Sequence, residues 1–249
     1  MGLPKIAVPE YSLKLPSNDK EIKYRPFLVK EEKILLIAME SEDDQEIANA
    51  TLNVIKNCVY GDIDVDKLPI FDIEYIFLWL RAKSKGEKIE LNYNCPTCKN
   101  QIPVSFNIED VKVQKQEGHE QKIQLNDDIG VMMKYPDMTM QTEIQKSAEL
   151  NEIEQLFCTV RVCIDYLYDS EKMYSNKDHT QEEMSEFIES LTDDQFQKIA
   201  MFFETSPKLR HKVTLLCNNP TGEKVKGKKK SVCGYTEDVT LEGIQSFFD

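Results

Sequence analysis

The sequence predicts an α+β fold: a mostly helical body with a small β module formed from two distant β-hairpins. Three observations lead there. Apolar residues recur at helical spacing from about Lys30 to Ala82 and again from Met138 to Phe203. The stretches around Cys95–Cys98 and Cys217–Cys233 instead alternate apolar with polar residues and turn at cysteines. Thr180-Gln181-Glu182-Glu183 and Thr192-Asp193-Asp194-Gln195 have the form of capping boxes, in which a threonine hydroxyl and a glutamate or glutamine side chain satisfy the free N–H groups of a helix start.

In chain order, Pro4, Pro9 and Pro16 make residues 1–20 an extended arm. A helical region over 21–86 follows. After a strand-like piece ending at Pro26, a helix from Lys30 to Glu42 is apolar nearly all round and is expected to be buried. A second begins near Ser41 or Asp43, carries Ile47, Ala50, Val54, Ile55 and Cys58, and is expected to stop at Gly61. The third starts at Pro69-Ile70 and ends at Lys85-Gly86, with Phe71, Tyr75, Leu78 and Ala82 on one face. Residues 87–136 hold the first cysteine hairpin and the strands at Ile123-x-Leu125 and Ile129–Tyr135. Residues 137–206 are expected to be helical: Met138 to Asp169 reads as helix, strongest from Ala148 to Tyr168 with an apolar stripe through Ile153, Leu156, Val160, Ile164 and Leu167, before the two capped helices. Residues 207–249 form the second cysteine hairpin and a short C-terminal helix containing Phe247 and Phe248.

Cys95-Pro96-Thr97-Cys98 places two thiols at a tight turn between alternating strands, a geometry that can direct both to one tetrahedral ion. A closed structural zinc site needs four ligands, and the second pair is Cys217 and Cys233. They are separated by 15 residues, where a compact knuckle has two to four. The intervening segment is loop-forming or charged throughout, so it can bulge out and leave the thiols where a short turn would. The expectation is one structural zinc on Cys95, Cys98, Cys217 and Cys233 in a zinc-ribbon-like module, with Lys99 helping to neutralise the thiolates. His211 is an alternative ligand. Ordinary turn thiols and a redox pair are the other readings, although a redox C-x-x-C opens a helix after a strand, and here Pro103 and the period-two pattern indicate a second strand. Seven cysteines cannot all pair, which fits reduced thiols in a cytosolic protein.

The net charge of −13 opposes phosphate backbones and anionic membranes. The exception is five lysines between Lys224 and Lys230, the one feature that would suit a zinc-ribbon nucleic-acid binder. No apolar run is long enough for a membrane span. No Walker loop, G-x-G-x-x-G, H-E-x-x-H or hydrolase signature is present, and the three histidines stand apart from any nucleophile motif, so no enzyme activity is expected.

Two blocks carry a resemblance. They are Tyr24-Arg25-Pro26-Phe27-x-Val29-Lys30-Glu31-Glu32-Lys33 and Asp64-x-x-Lys67-Leu68-Pro69-x-Phe71-Asp72-x-Glu74-Tyr75-x-Phe77-Leu78-x-Leu80-Arg81-Ala82-Lys83-Ser84-x-Gly86-Glu87, followed by Cys95-Pro96-x-Cys98. Together they resemble the baseplate hub family of T4-like contractile-tailed bacteriophages. The resemblance implies a non-enzymatic protein of tail morphogenesis, active in the host cytoplasm during infection. Its partners would be other phage baseplate hub proteins, with no nucleic acid. Assembly factor and hub subunit retained in the virion baseplate both fit. The partner surface is expected between Tyr24 and Glu87, on Phe71, Tyr75, Phe77, Trp79 and Arg81. Phe77 and Trp79 point away from the 71/75/78/82 face and need either a second layer of this protein or a partner.

Overall fold

The computed structural model describes residues 6–146, 151–220, 232–243 and 246. The expected lysine loop and the two C-terminal phenylalanines lie outside them.

The arm is more ordered than its prolines suggest: β1 (Tyr11–Lys14) pairs antiparallel with β2 (Glu21–Tyr24), and Leu15 between them is fully buried. Helix α1 (Val29–Glu40) begins at Leu28, whose N–H donates to the Glu31 carboxylate at 2.8 Å. The same carboxylate accepts from Arg25 at 2.9 Å, in a pair whose side chains are 11% and 2% exposed. Arg25 also donates to the carbonyls of Pro26 and Asn57, so the pair ties α1 to β2 and to α2 (Asp44–Cys58). Burial of α1 differs from expectation. Leu35 and Ala38 are buried, but Val29, Ile34, Leu36, Ile37 and Met39 are exposed. The residues are apolar all round, yet the helix packs mainly on α2, so only one side is covered.

Asp43 caps α2, accepting from the N–H groups of Gln45 and Glu46. The helix stops before Gly61, because Val59–Tyr60 turns extended as β3 and pairs with β2, and Gly61 serves the following turn at φ 105°. Helix α3 (Ile70–Lys85) ends where the sequence places it, at Gly86, which takes φ 113° and donates to the Ala82 carbonyl. Strands β4 (Lys88–Asn94) and β5 (Gln101–Asn107) form the first cysteine hairpin, with Leu91 opposite Val104.

Beyond them lie β6 (Lys112–Gln114), β7 (Lys122–Gln124), β8 (Gly130–Met133), α4 (Met138–Lys146) and α5 (Glu152–Cys163). The long helix expected as far as Asp169 ends six residues early, at Cys163. Ile164–Tyr168 is β9, paired with β8 on one side and β10 (Met173–Ser175) on the other. Ile164-Asp165-Tyr166-Leu167-Tyr168 satisfies a helical stripe on paper, but its aromatic and β-branched content suits a pleated surface, and pairing on both edges decides the matter. The capped helices α6 (Gln181–Glu189) and α7 (Asp193–Thr205) start at Thr180 and Thr192 as the capping boxes predict. Strands β11 (Lys208–Leu216) and β12 (Thr236–Glu242) form the second cysteine hairpin as expected, and most of the expected C-terminal helix lies outside the described residues.

The chain forms two units that interleave in sequence. The first comprises residues 1–63, 73–114 and 208–249; the second comprises 64–72 and 115–207. In the first, β12-β11-β6 form one sheet and β4-β5 another, around a core of Leu78, Ala82, Ile89, Ile108, Val213 and Leu241 with Cys95 and Cys217 among them. In the second, the sheet β10-β9-β8-β7 packs with helices around Val131, Met133, Val160, Ile188, Ile199 and Phe202. His119 sits in that unit between Thr205 Oγ1 (2.8 Å) and the Tyr135 hydroxyl (3.0 Å), a satisfied interior histidine whose pKa burial pushes down. The mixture is α+β, with more strand than a mostly helical body implies.

A candidate metal centre of four cysteines

Alternation along β4 and β5 puts Ile89, Leu91 and Ile102 inward and brings the strands together at Cys95 and Cys98. The turn is closed by two backbone bonds. Cys95 N–H donates to the Asn100 carbonyl at 2.8 Å, and Lys99 N–H to the Cys95 carbonyl at 2.9 Å. Lys99 takes a left-handed φ of 61°, the conformation that lets the chain double back within so few residues.

The second half-site repeats these bonds despite its length. Cys217 N–H donates to the Tyr235 carbonyl at 2.9 Å, Gly234 N–H donates to the Cys217 carbonyl at 3.0 Å, and Gly234 has φ 69°. Cys217, Cys233, Gly234 and Tyr235 therefore stand where Cys95, Cys98, Lys99 and Asn100 stand in the short turn. Cys233 N–H donates to the Asn219 carbonyl, and a bridge between Pro220 and Val232 draws the two ends of the loop together. The loop leaves and re-enters at neighbouring points, so its length costs the half-site no geometry.

The four sulfurs lie within 4.8 Å of one another. Cys95 and Cys233 Sγ are 3.8 Å apart, and Cys98 and Cys217 Sγ are 3.5 Å apart. Four thiolates about 2.3 Å from a tetrahedral ion are separated by about 3.8 Å, so the arrangement fits one thiophilic cation of zinc's size. Cys95 and Cys217 are buried, while Cys98 and Cys233 are partly exposed. The Asn100 backbone N–H, with the Asn219 amide 3.5 Å from its sulfur, draws the Cys98 thiol down to about 6. Asn219 pulls on Cys217 as well, but burial and the neighbouring thiols outweigh it and hold that thiol up at about 12. Thiols this close cannot all ionise unaided; a divalent cation bound at their centre would supply the missing compensation. When bound, such an ion would cross-link two hairpins distant in sequence. The roles of Asn219, side-chain donor to the Cys98 sulfur, backbone donor to that of Cys217 and backbone acceptor for Cys233, have no spacing rule in the sequence; adjacency to Cys217 is the only signal.

His211 is not part of the cluster; its ring packs on Phe106 with centroids 4.4 Å apart. Of the residues expected at a partner surface, Phe71 and Phe77 are 6% and 2% exposed, whereas Tyr75, Trp79 and Arg81 are half-buried. The second layer that Phe77 requires is thus supplied by this protein. Trp79 Nε1 and one terminal nitrogen of Arg81 are buried without a hydrogen-bond partner among the described residues, and burial lowers the Arg81 pKa.

The family model described as T4 bacteriophage base plate protein matches residues 8–249. No curated protein and no solved structure matches.

Proposed function

This chain belongs to the T4 bacteriophage base plate protein family, and we propose that it is a non-enzymatic morphogenesis protein that promotes assembly of the base plate central hub by binding other hub proteins. Membership of the family supports a base plate role with phage protein partners. The four-cysteine cluster supports a structural zinc and a zinc-ribbon-like module as the scaffold of the first unit.

The observation that carries the partner reading is the open face of α1. Val29, Leu36 and Ile37 are 81%, 51% and 57% exposed, within the block Tyr24–Glu87 where the family resemblance is densest. Isolated apolar residues on a surface need no explanation, but several on one helix of a protein that works in an assembly are suited to an apolar face of a hub protein. Coexpression with the other base plate proteins of the phage tests this with Leu36→Glu and Ile37→Glu, both exposed and so compatible with folding. Each should weaken hub association by about 2 kcal/mol, roughly thirtyfold. Normal hub formation by both folded variants would remove α1 as the contact. Mass spectrometry of purified virions then separates an assembly factor, absent from the particle, from a retained subunit.

A further inference from the structure

The second unit contains a cleft of about 530 Å³, within the range of ligand sites, whose lining includes Lys67, Lys134, Arg161, Lys177 and His179. Four lysine and arginine side chains share this cleft with three carboxylates, Asp137, Glu143 and Asp165, in a chain of net charge −13. Their occupancy is uneven. Arg161 is held at 3.0 Å by Glu143, which also accepts from Gln181 at 3.1 Å, so α4, α5 and α6 are tied at the cleft. Asn176 Nδ2 donates to the carbonyls of Arg161 and Ile164, fixing the loop that carries Lys177. Lys67 pairs with Asp64 and His179 lies 3.4 Å from Glu183. Lys134 and Lys177, by contrast, make no ion pair among the described residues. The walls are braced, leaving two lysines and the Asp165 carboxylate without ion pairs among the described residues.

We propose that this cleft binds an acidic peptide segment of a partner protein, with Lys134 and Lys177 taking its carboxylates. The mixed lining selects against a nucleic-acid backbone, because Asp137, Glu143 and Asp165 border the same space and would repel a continuous row of phosphates. A peptide brings carboxylates one at a time and spaces them with neutral groups. The Asp165 carboxylate, also without an ion pair among the described residues, suits the peptide's N–H groups. The inference rests on the reading that this protein works through other proteins, but it uses a different surface from α1.

The test is fluorescence polarisation of the full-length chain with a labelled Glu-Ser repeat peptide of eight residues, beside the matching Lys-Ser peptide and an eight-nucleotide oligothymidylate. The acidic peptide should bind with millimolar or tighter affinity, and the basic peptide should not. Lys134→Glu and Lys177→Glu should each weaken binding at least tenfold with unchanged circular dichroism; Lys177 is exposed, so its variant folds even if the other does not. Leu36→Glu should bind the peptide normally. Absent binding, equal binding by the Lys177 variant, or tighter binding of the oligothymidylate would overturn the proposal. The hub-association assay reads α1 independently, so either reading can fail while the other stands.

Discussion

Replacing Cys217 with serine tests the metal centre at one of its two buried ligands. A site formed in the native state and absent from the unfolded chain stabilises by mass action, by about 4 kcal/mol when free metal exceeds its dissociation constant a thousandfold. In a chain of 249 residues each kcal/mol moves the melting temperature by about 2–4 °C. The wild type, purified without chelator, should carry about one zinc per chain and melt roughly 8–16 °C higher than after chelation. The four sulfurs already lie within 4.8 Å of one another, against about 3.8 Å in a tetrahedral thiolate site, so only small shifts are needed and most of this gain should appear. Cys217→Ser should lose most of the metal and melt alike with and without chelator. Serine is close to cysteine in size, so the variant should melt near the chelated wild type, which separates loss of metal from loss of packing. Calorimetry and elemental analysis on the same samples read both quantities. Less than a tenth of a zinc per wild-type chain, or a variant that keeps both its metal and its melting temperature, would refute the reasoning.

Further outcomes follow from the same geometry. Replacing residues 218–232 by Pro-Thr, which copies the spacing of Cys95-Pro96-Thr97-Cys98, should retain one metal per chain, because the bonds Cys217–Tyr235 and Gly234–Cys217 already define a short turn; loss of metal in a folded product would contradict that equivalence. Glu31→Ala strands the Arg25 guanidinium in the interior and should cost about 3–5 kcal/mol in chemical denaturation, while Lys30→Ala, at the solvent side of the same carboxylate, should cost under about 1 kcal/mol. Glu74 is pushed up to about 7, first by burial and then by Glu242. Its folded pKa lies above the unfolded one, so the stability tied to its protonated form is complete below about pH 4.5 and is lost as the pH rises through about 7. Glu74→Gln should accordingly gain up to about 3 kcal/mol at pH 8 and little at pH 4.5, and parallel pH–stability curves for the two proteins would disprove it.

Sequence alone determined what depends on neighbours along the chain. The boxes at Thr180 and Thr192, the Gly86 stop and the alternation about Cys95 each satisfy backbone groups within a few residues, so their signals survive without a fold. The four thiols were legible for a related reason: only two turns carry cysteines between alternating strands. Tertiary structure decided whatever depends on residues far away. Ile164–Tyr168 became a strand because β8 and β10 offered it hydrogen bonds on both edges, and α1 left half its apolar surface open because α2 covers one side. The equivalence of the short and long cysteine turns was equally invisible. Spacing counts residues along the chain, whereas a ligand set is fixed by where the backbone crosses itself, and the bonds Cys95–Asn100 and Cys217–Tyr235 exist only once both hairpins have closed.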